Sequence, residues 1–390
     1  MDVTYRIDKD ILYIALEGRI DASNAAQAEE KIFSIKNDNP GKHVVLDADL
    51  LEYISSAGLR VILRLRKEEA KLAIINVASD VYEVFDMTGF TDMVTIEKAY
   101  QRMSVDGCEF IAKGANGAVY RYDAETILKT YFAKDALPEI KQERENARKA
   151  FVLGINTAIP YGIVRVGDGY GTVTELLNAE SVTQLIRKDQ EHLEQPVKYY
   201  IDMLKSIHAI KVEDGEVPDM RETALAWADF VAPHLPEAQG KKLRALIAAV
   251  PKQNTLMHGD YHTNNIMVQN GEPLLIDMDT LCMGHPVFEL GSMFNAFIGY
   301  SELDHQVTVN FYGYTHETAE KVWDMALKAY LGTEDAEVCR SVAEKAMIVG
   351  YTRMLRRAIR RPNEVDSPAK IARCKEMLEI LLNKVDTLMF

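Results

Sequence analysis

Through the first hundred residues, short apolar runs alternate with stretches in which apolar positions recur every three or four residues. The runs at 11–17, 43–46, 72–77 and 93–96 are rich in Ile, Val and Leu and predict strands. The intervening spacing predicts helices over 25–35, 59–70 and 81–87, with Ser23 or Asn24 a candidate N-cap for the first and Ser55 or Ser56 for the second. In the second helix Leu59, Ile62, Leu63 and Leu65 face inward, while Arg60, Arg64, Arg66 and Lys67 face water. Such alternation predicts a small α/β domain.

After Tyr100-Gln101-Arg102 the pattern restarts, which puts a domain boundary near residue 103 with only a short linker. Residues 111–122 read as a strand-turn-strand around Gly114 and Gly117, and 126–131 as a strand carrying Lys129. A helix is predicted over 137–153, with Pro138 near its start and Gly154 at its end. Residues 155–174 supply two strands around Gly167-Asp168-Gly169. From Ser181 the chain is mostly helical, at 182–187, 196–208, 223–230 and 241–250, and again from Met293 onward. Between these helices lies an irregular segment, 257–280, in which Leu274-Leu275-Ile276 forms a buried strand after the turn residues Asn270, Gly271 and Pro273.

A chain of 390 residues is long enough for two or three domains, and 47% hydrophobic residues suffice for packed cores. The net charge of −14 argues against nonspecific nucleic-acid binding or an anionic membrane surface. Cys108, Cys282, Cys339 and Cys374 are scattered, without metal-type pairing or a disulfide framework, and read as reduced thiols. The N-terminus lacks a signal pattern and no apolar run approaches a membrane span, so a soluble, cytoplasmic protein is expected.

The candidate chemistry sits in 257–280. Asp260 is followed five positions later by Asn265, and then by Asp277 at the end of the apolar run. Phosphoryl transfer from a nucleotide needs such a set: a carboxylate to take up the acceptor hydroxyl's proton, and an amide oxygen and a second carboxylate to hold magnesium against the phosphates. His258 reads as a buttress of the loop, Asp279 as either a supporting acid or a turn cap, and Glu289 as structural. Arg353, Arg356, Arg357, Arg360 and Arg361 fall on one basic run ending at Pro362. That run reads as a solvated helix face, with a clamp for an acidic acceptor or partner as the alternative.

These segments resemble two families. His258-Gly259-Asp260, Asn265 and Ile276-Asp277-Met278-Asp279 resemble the aminoglycoside phosphotransferase and choline kinase branch of the protein-kinase-like fold. LEGRIDASNA, VVLDADLLEYISSAGLRVIL and VFDMTGF, within 2–100, resemble the STAS domain of anti-sigma-factor antagonists. Together they imply an α/β STAS domain (1–102) followed by a two-lobed α+β protein-kinase-like domain, with a smaller lobe at 103–178 and a helical lobe at 179–390. The kinase resemblance implies an ATP- and Mg2+-dependent phosphotransferase acting on a small-molecule hydroxyl. Asp260 would be the catalytic base, Asn265 and Asp277 the magnesium ligands, Gly114 and Gly117 the phosphate-covering turn, and Lys129 the phosphate lysine.

Glu143 and Glu145 are both candidates for the partner of Lys129. They point about 200° apart on a helix, so only one serves, and counting back from the Ala150-Phe-Val-Leu-Gly motif the resemblance favours Glu143. Glu175, Leu176 and Leu177 would form the hinge whose backbone meets the adenine edge. No Ala-Pro-Glu-type segment appears, which argues against a protein kinase. The STAS resemblance implies a protein partner and a phosphorylation switch near the start of the second helix. The family's switch serine falls on Ala57, however, and only Ser56, one place early, keeps a hydroxyl. The alternative reading of the whole chain is a nucleotide-binding pseudokinase-type signalling module whose STAS domain recruits a protein.

Overall fold

The computed structural model describes residues 1–114, 116–364 and 366–390. The chain divides into two compact units, Met1–Ser104 and Val105–Phe390.

In the first unit, β1 (Asp2–Asp8), β2 (Ile11–Ile20), β3 (His43–Ile54), β4 (Ala73–Val77) and β5 (Thr95–Lys98) form one sheet in that order. β1 runs antiparallel to β2 and the other pairs are parallel. The helices α1 (Ala25–Asp38), α2 (Ser56–Glu68) and α3 (Ser79–Met87) supply the crossovers, as parallel neighbours require. A two-residue strand, β6 (Arg102–Met103), comes last.

Two strands extend beyond the sequence expectation. β1 is an edge strand whose Tyr5 and Ile7 stay exposed, so it carries little of the apolar signal that marks β2. β3 continues past Leu46 because Leu46 and Ala48 point into the core while Asp47 lies on the other face, where it accepts a 2.9 Å bond from Asn76 Nδ2.

Ser55 is the N-cap of α2, its hydroxyl accepting from Gly58 N–H at 3.4 Å, and Ser56 is the exposed first residue of the helix. Gly58 lies where α2 leaves the ends of β2 and β3. A Cβ there would stand 2.7 Å from both Ile20 Cγ2 and Ile54 Cγ1, two fully packed side chains.

The second unit has two lobes. Within it, β7 (Glu109–Lys113), β8 (Gly117–Arg121), β9 (Thr126–Tyr131), β10 (Pro160–Val166) and β11 (Gly169–Glu175) lie in the order β10-β11-β9-β8-β7, all antiparallel. The long helix α4 (Leu137–Val152) packs against β10 and β11.

The larger lobe carries the helices α5 (Val182–Lys188), α6 (Glu194–Ala209), α7 (Met220–Val231), α8 (Glu237–Ala249), α9 (Val287–Phe297), α10 (Gln306–Tyr312), α11 (His316–Leu331), α12 (Ala336–Arg360) and α13 (Ser367–Leu382). Small ladders interrupt them: β12 (Glu180–Ser181), β14 (Ile266–Gln269) and β15 (Glu272–Leu275) form one, β13 (Leu256–Met257) and β16 (Cys282–Met283) another. α9, buried almost all round, is the central helix, with α12 against it and α13 against α12. Among the described residues no helix is long and apolar enough to cross a membrane.

Helix propensity favours alanine over glycine by about 1 kcal/mol. At Gly58 the packing reverses that sign. Gly58→Ala is expected to destabilise the first unit by roughly 1–3 kcal/mol through overpacking, read as a fall in its melting transition by calorimetry.

Candidate functional site

The loop after β13 is held by side chains from several elements, and its backbone polar groups can be followed one by one. His258 N–H donates to Glu289 Oε2 at 2.6 Å, and Gly259 N–H donates to both Glu289 oxygens at 3.0 and 3.3 Å. The His258 carbonyl accepts from Thr280 Oγ1 at 2.7 Å. The Gly259 carbonyl accepts from Arg353 Nη1 at 3.0 Å and Ser292 Oγ at 3.3 Å. Asp260 N–H donates to His258 Nδ1 at 3.3 Å, and the Asp260 carbonyl accepts from Asn265 Nδ2 at 3.1 Å. His258 Nε2 reaches the Ile276 carbonyl at 3.1 Å, so this ring nitrogen carries the proton and Nδ1 accepts.

Gly259 has φ +83°, and a Cβ there would lie 2.4 Å from the Thr280 carbonyl oxygen. Only glycine fits this turn. One residue further on, Tyr261 and Tyr200 of α6 exchange bonds, each hydroxyl donating to the other's carbonyl, at 2.5 and 3.0 Å.

The Asp260 carboxylate alone is left facing outward, about half exposed. Arg353 Nη2 stands 3.6 Å from Oδ1, and His262 Nε2 stands 3.7 Å from Oδ2. Burial keeps the His262 imidazole below the usual histidine pKa, against the opposing pull of Asp260.

Asn265 closes a short 3-10 turn ahead of β14. Because its Nδ2 is engaged by the Asp260 carbonyl, Oδ1 is left without a protein donor among the described residues. The β14–β15 hairpin turns at Asn270 and Gly271, both at positive φ, and returns the chain to Asp277. The Ile276 N–H donates to the Asn265 carbonyl at 2.9 Å, which brings the two candidate ligands side by side. Asp277 itself has φ 64°, a left-handed conformation costly for a non-glycine residue and typical of functional turns. Asp279 is pushed up to about 6, by desolvation first and then by the Asp277 and Glu143 carboxylates.

In the smaller lobe Lys129 Nζ donates to Glu143 Oε1 at 2.6 Å, and the Tyr131 hydroxyl donates to Glu143 Oε2 at 2.8 Å. Burial works against the Lys129 charge. Glu143, Tyr131 and Asp277 outweigh it and leave the ammonium above lysine's ordinary pKa. Glu145 lies on the outer face of α4 and pairs with Arg148 at 2.8 Å. One turn along from Glu143, buried Asn146 donates to the Met278 carbonyl at 3.0 Å.

A model of the phosphotransferase enzyme family matches residues 107–323, more than half of the chain. The chain belongs to the phosphotransferase enzyme family. A STAS-domain model matches residues 2–103. Over 90 residues the chain is 36% identical to BtrV of Bordetella bronchiseptica, described as an anti-sigma factor antagonist, covering 22% of this chain and 77% of that protein. The N-terminal part is a STAS domain.

Among solved structures, an apo thermostable mutant of aminoglycoside phosphotransferase APH(4)-Ia is similar at 12% identity and TM-score 0.49, over 71% of this chain and 94% of that one. ADP-bound APH(2'')-Ib is similar at 13% identity and TM-score 0.49, over 77% and 98%. A choline/ethanolamine kinase family protein from Mesorhizobium loti is similar at 16% identity and TM-score 0.46, over 72% and 92%.

In this phosphotransferase the remaining candidate residues are distributed as follows. Gly114 N–H donates to the Gly117 carbonyl at 2.9 Å, and a Cβ on Gly117 would stand 2.0 Å from the Thr130 carbonyl of β9. Glu175 ends β11, where its N–H donates to the Ile159 carbonyl at 3.0 Å, while the Leu176 N–H donates to the Glu125 carbonyl at 2.7 Å. No backbone partner of Leu177 occurs among the described residues. Ser56 belongs to the STAS unit. Sequence reasoning passed over Tyr200, Tyr261 and Asn146 as parts of the site, and placed Arg353 on a basic run without its link to the Asp260 loop. The bonds that place them in the site run mainly to backbone carbonyls, which carry no sequence signal. The Glu289 carboxylate, read as structural, is the buried acceptor on which the Asp260 loop is hung.

Removing that acceptor orphans two buried N–H groups at about 1–3 kcal/mol each. Glu289→Ala is therefore expected to cost roughly 3 kcal/mol in denaturant unfolding of the second unit, and Glu289→Gln, which keeps one carbonyl oxygen, clearly less. Because the folded Asp279 pKa lies above that of the unfolded chain, the native state holds an extra proton between about pH 4 and 6, and this contribution is lost as pH rises through 6. Asp279→Asn is expected to raise the melting temperature at pH 7.5 and leave it unchanged at pH 4. A gain of equal size at both pH values would contradict the assignment.

Proposed function

We propose that this phosphotransferase moves the γ-phosphoryl group of ATP to a hydroxyl of a small molecule, with the STAS domain as a regulatory or partner-binding module. The observation that carries the reading is the Lys129–Glu143 pair at 2.6 Å, whose lysine also feels the charge of Asp277. A lysine fixed in this way presents a permanent positive charge to nucleotide phosphates. The Gly114–Gly117 turn would cover those phosphates, and the backbone at Glu175 and Leu177 would meet the adenine edge.

Asp260 orients the acceptor. The hydroxyl oxygen bonds to the γ-phosphorus as the bond from phosphorus to the β–γ bridging oxygen breaks. The hydroxyl proton passes to the Asp260 carboxylate, and ADP leaves. The loop's fully engaged backbone holds that carboxylate in place, so little reorganisation accompanies the step.

Asn265 Oδ1 and the Asp277 carboxylate are hard oxygen donors that would hold magnesium. Among the described residues no group of three or more His, Cys, Asp or Glu side chains could hold a metal alone. That fits an ion completing its shell with phosphate and water oxygens. When bound, magnesium supplies neutralisation of charge developing on the β- and γ-phosphates. In the STAS domain the exposed hydroxyl of Ser56, at the first turn of α2, is the regulatory candidate, where an added phosphate would meet unsatisfied helix N–H groups.

Mg·ATP at about a hundred times its Kd is expected to stabilise the second unit by roughly 2.7 kcal/mol in thermal denaturation. Asp277→Ala should abolish the magnesium-dependent part and Lys129→Met should weaken the nucleotide response. No shift in the wild type would sink the reading. A shift without ADP release across a broad set of alcohols would favour a nucleotide-binding signalling module instead.

A further inference from the structure

Arg353, Arg356, Arg357 and Arg360 occupy positions i, i+3, i+4 and i+7, so they stand on a single face of α12. That face is not simply solvated. With Trp227 of α7 and Tyr300 it lines a cavity of about 360 Å³, and Arg353 reaches from its wall to the Asp260 carboxylate at 3.6 Å. Trp227 lies 5.7 Å from the Arg353 guanidinium and Tyr300 lies 5.6 Å from that of Arg357, so aromatic faces flank these cations within the cavity.

Arg353 is occupied by the Gly259 carbonyl and Ser292, and Arg361 pairs with Glu364 at 3.2 Å. Arg356, Arg357 and Arg360 make no ion pair within 4.0 Å among the described residues, although the chain carries 59 acids against 45 bases. Burial, and then the neighbouring Arg360, push the Arg356 guanidinium below its ordinary pKa. Like charges at these spacings destabilise a helix. The dipole at the end of α12 favours cations only in its last turn, which leaves Arg356 unexplained.

We propose that this cavity holds the oxyanion of the phosphate acceptor, which is therefore a small hydroxylated molecule bearing a phosphate or carboxylate group and not a polycation. The inference rests on the phosphotransferase reading of Asp260. At 1.5 Å of rise per residue, Arg360 lies about 10 Å along α12 from Arg353. An acceptor whose anionic end reaches the outer guanidiniums thus keeps a hydroxyl at Asp260. Guanidinium groups suit the task because their planar donors match phosphate and carboxylate oxygens in pairs.

The test uses the full chain in saturating Mg·ADP, at constant ionic strength, with thermal denaturation as the readout. Inorganic phosphate and citrate are the oxyanion probes, and kanamycin and glycerol are the cationic and neutral controls. Phosphate, citrate or both should stabilise the wild type, and which of them does so distinguishes the two acid types. The Arg356→Gln/Arg360→Gln variant should need at least about tenfold more anion, since hydrogen bonds to charged groups contribute 1.5–3 kcal/mol. The variant's melting temperature without anion reports whether it folds, and Arg357→Gln serves as a second variant.

Equal anion response in wild type and both variants would overturn the proposal. So would stabilisation by kanamycin or glycerol with none by the anions, or phosphorylation of an uncharged alcohol at a rate the variants leave unchanged. Mg·ADP shifts recorded in the same series separate the two claims. Nucleotide stabilisation without an anion response rejects the arginine cavity alone, and its absence rejects the phosphotransferase reading beneath it.

Discussion

The second unit is organised around a buried carboxylate bonded to backbone. Glu289 lies inside α9 with no accessible surface on its side chain, and the His258 and Gly259 amides donate to it. An isolated carboxylate in such a place would be very costly, and so would two unpaired amides; each solves the other's problem. The remaining backbone groups of residues 258–260 are met by Thr280, Ser292, Arg353, Asn265 and the His258 ring. Elements remote in sequence converge on three residues, and the Asp260 carboxylate is left over. Its outward position follows from everything around it being engaged.

Much of this was legible in the chain, and the illegible part has a common cause. α2 and α4 were readable because their apolar periodicity and terminators are local. On α4, helical arithmetic separates Glu143 from Glu145, and the pair with Lys129 falls on Glu143. β1 was missed because an edge strand exposes Tyr5 and Ile7 and lacks a continuous apolar run. β3 outruns its apolar run because Asp47 only alternates with buried Leu46 and Ala48, and after an irregularity at Asp49 and Leu50 the strand resumes to Ile54. Glu289 could be named but not given its work, since its partners are amides thirty residues upstream and every residue type has an amide. The arginine stripe could be placed on one helix face. Nothing in its own sequence told that Trp227 and Tyr300 would wall that face in.

The two lobes treat positive charge in opposite ways. Lys129 is compensated at short range by Glu143, which fixes both its position and its charge. Along α12 Arg356 and Arg357 have aromatic neighbours and, among the described residues, no acid within ion-pairing distance. Side by side on one acidic chain, these arrangements separate a charge that is part of the scaffold from charges left available.

Helix α4 carries Glu143 and Asn146 three residues apart, one holding Lys129 and the other holding the Met278 carbonyl next to Asp277. Both contacts lie on the same side of one rigid cylinder, so a rotation of the helix by a single residue, about 100°, would carry both away together. The lysine and the Asp277 turn are thereby geared to one shaft. A displacement of α4 large enough to break one contact would therefore strain the other.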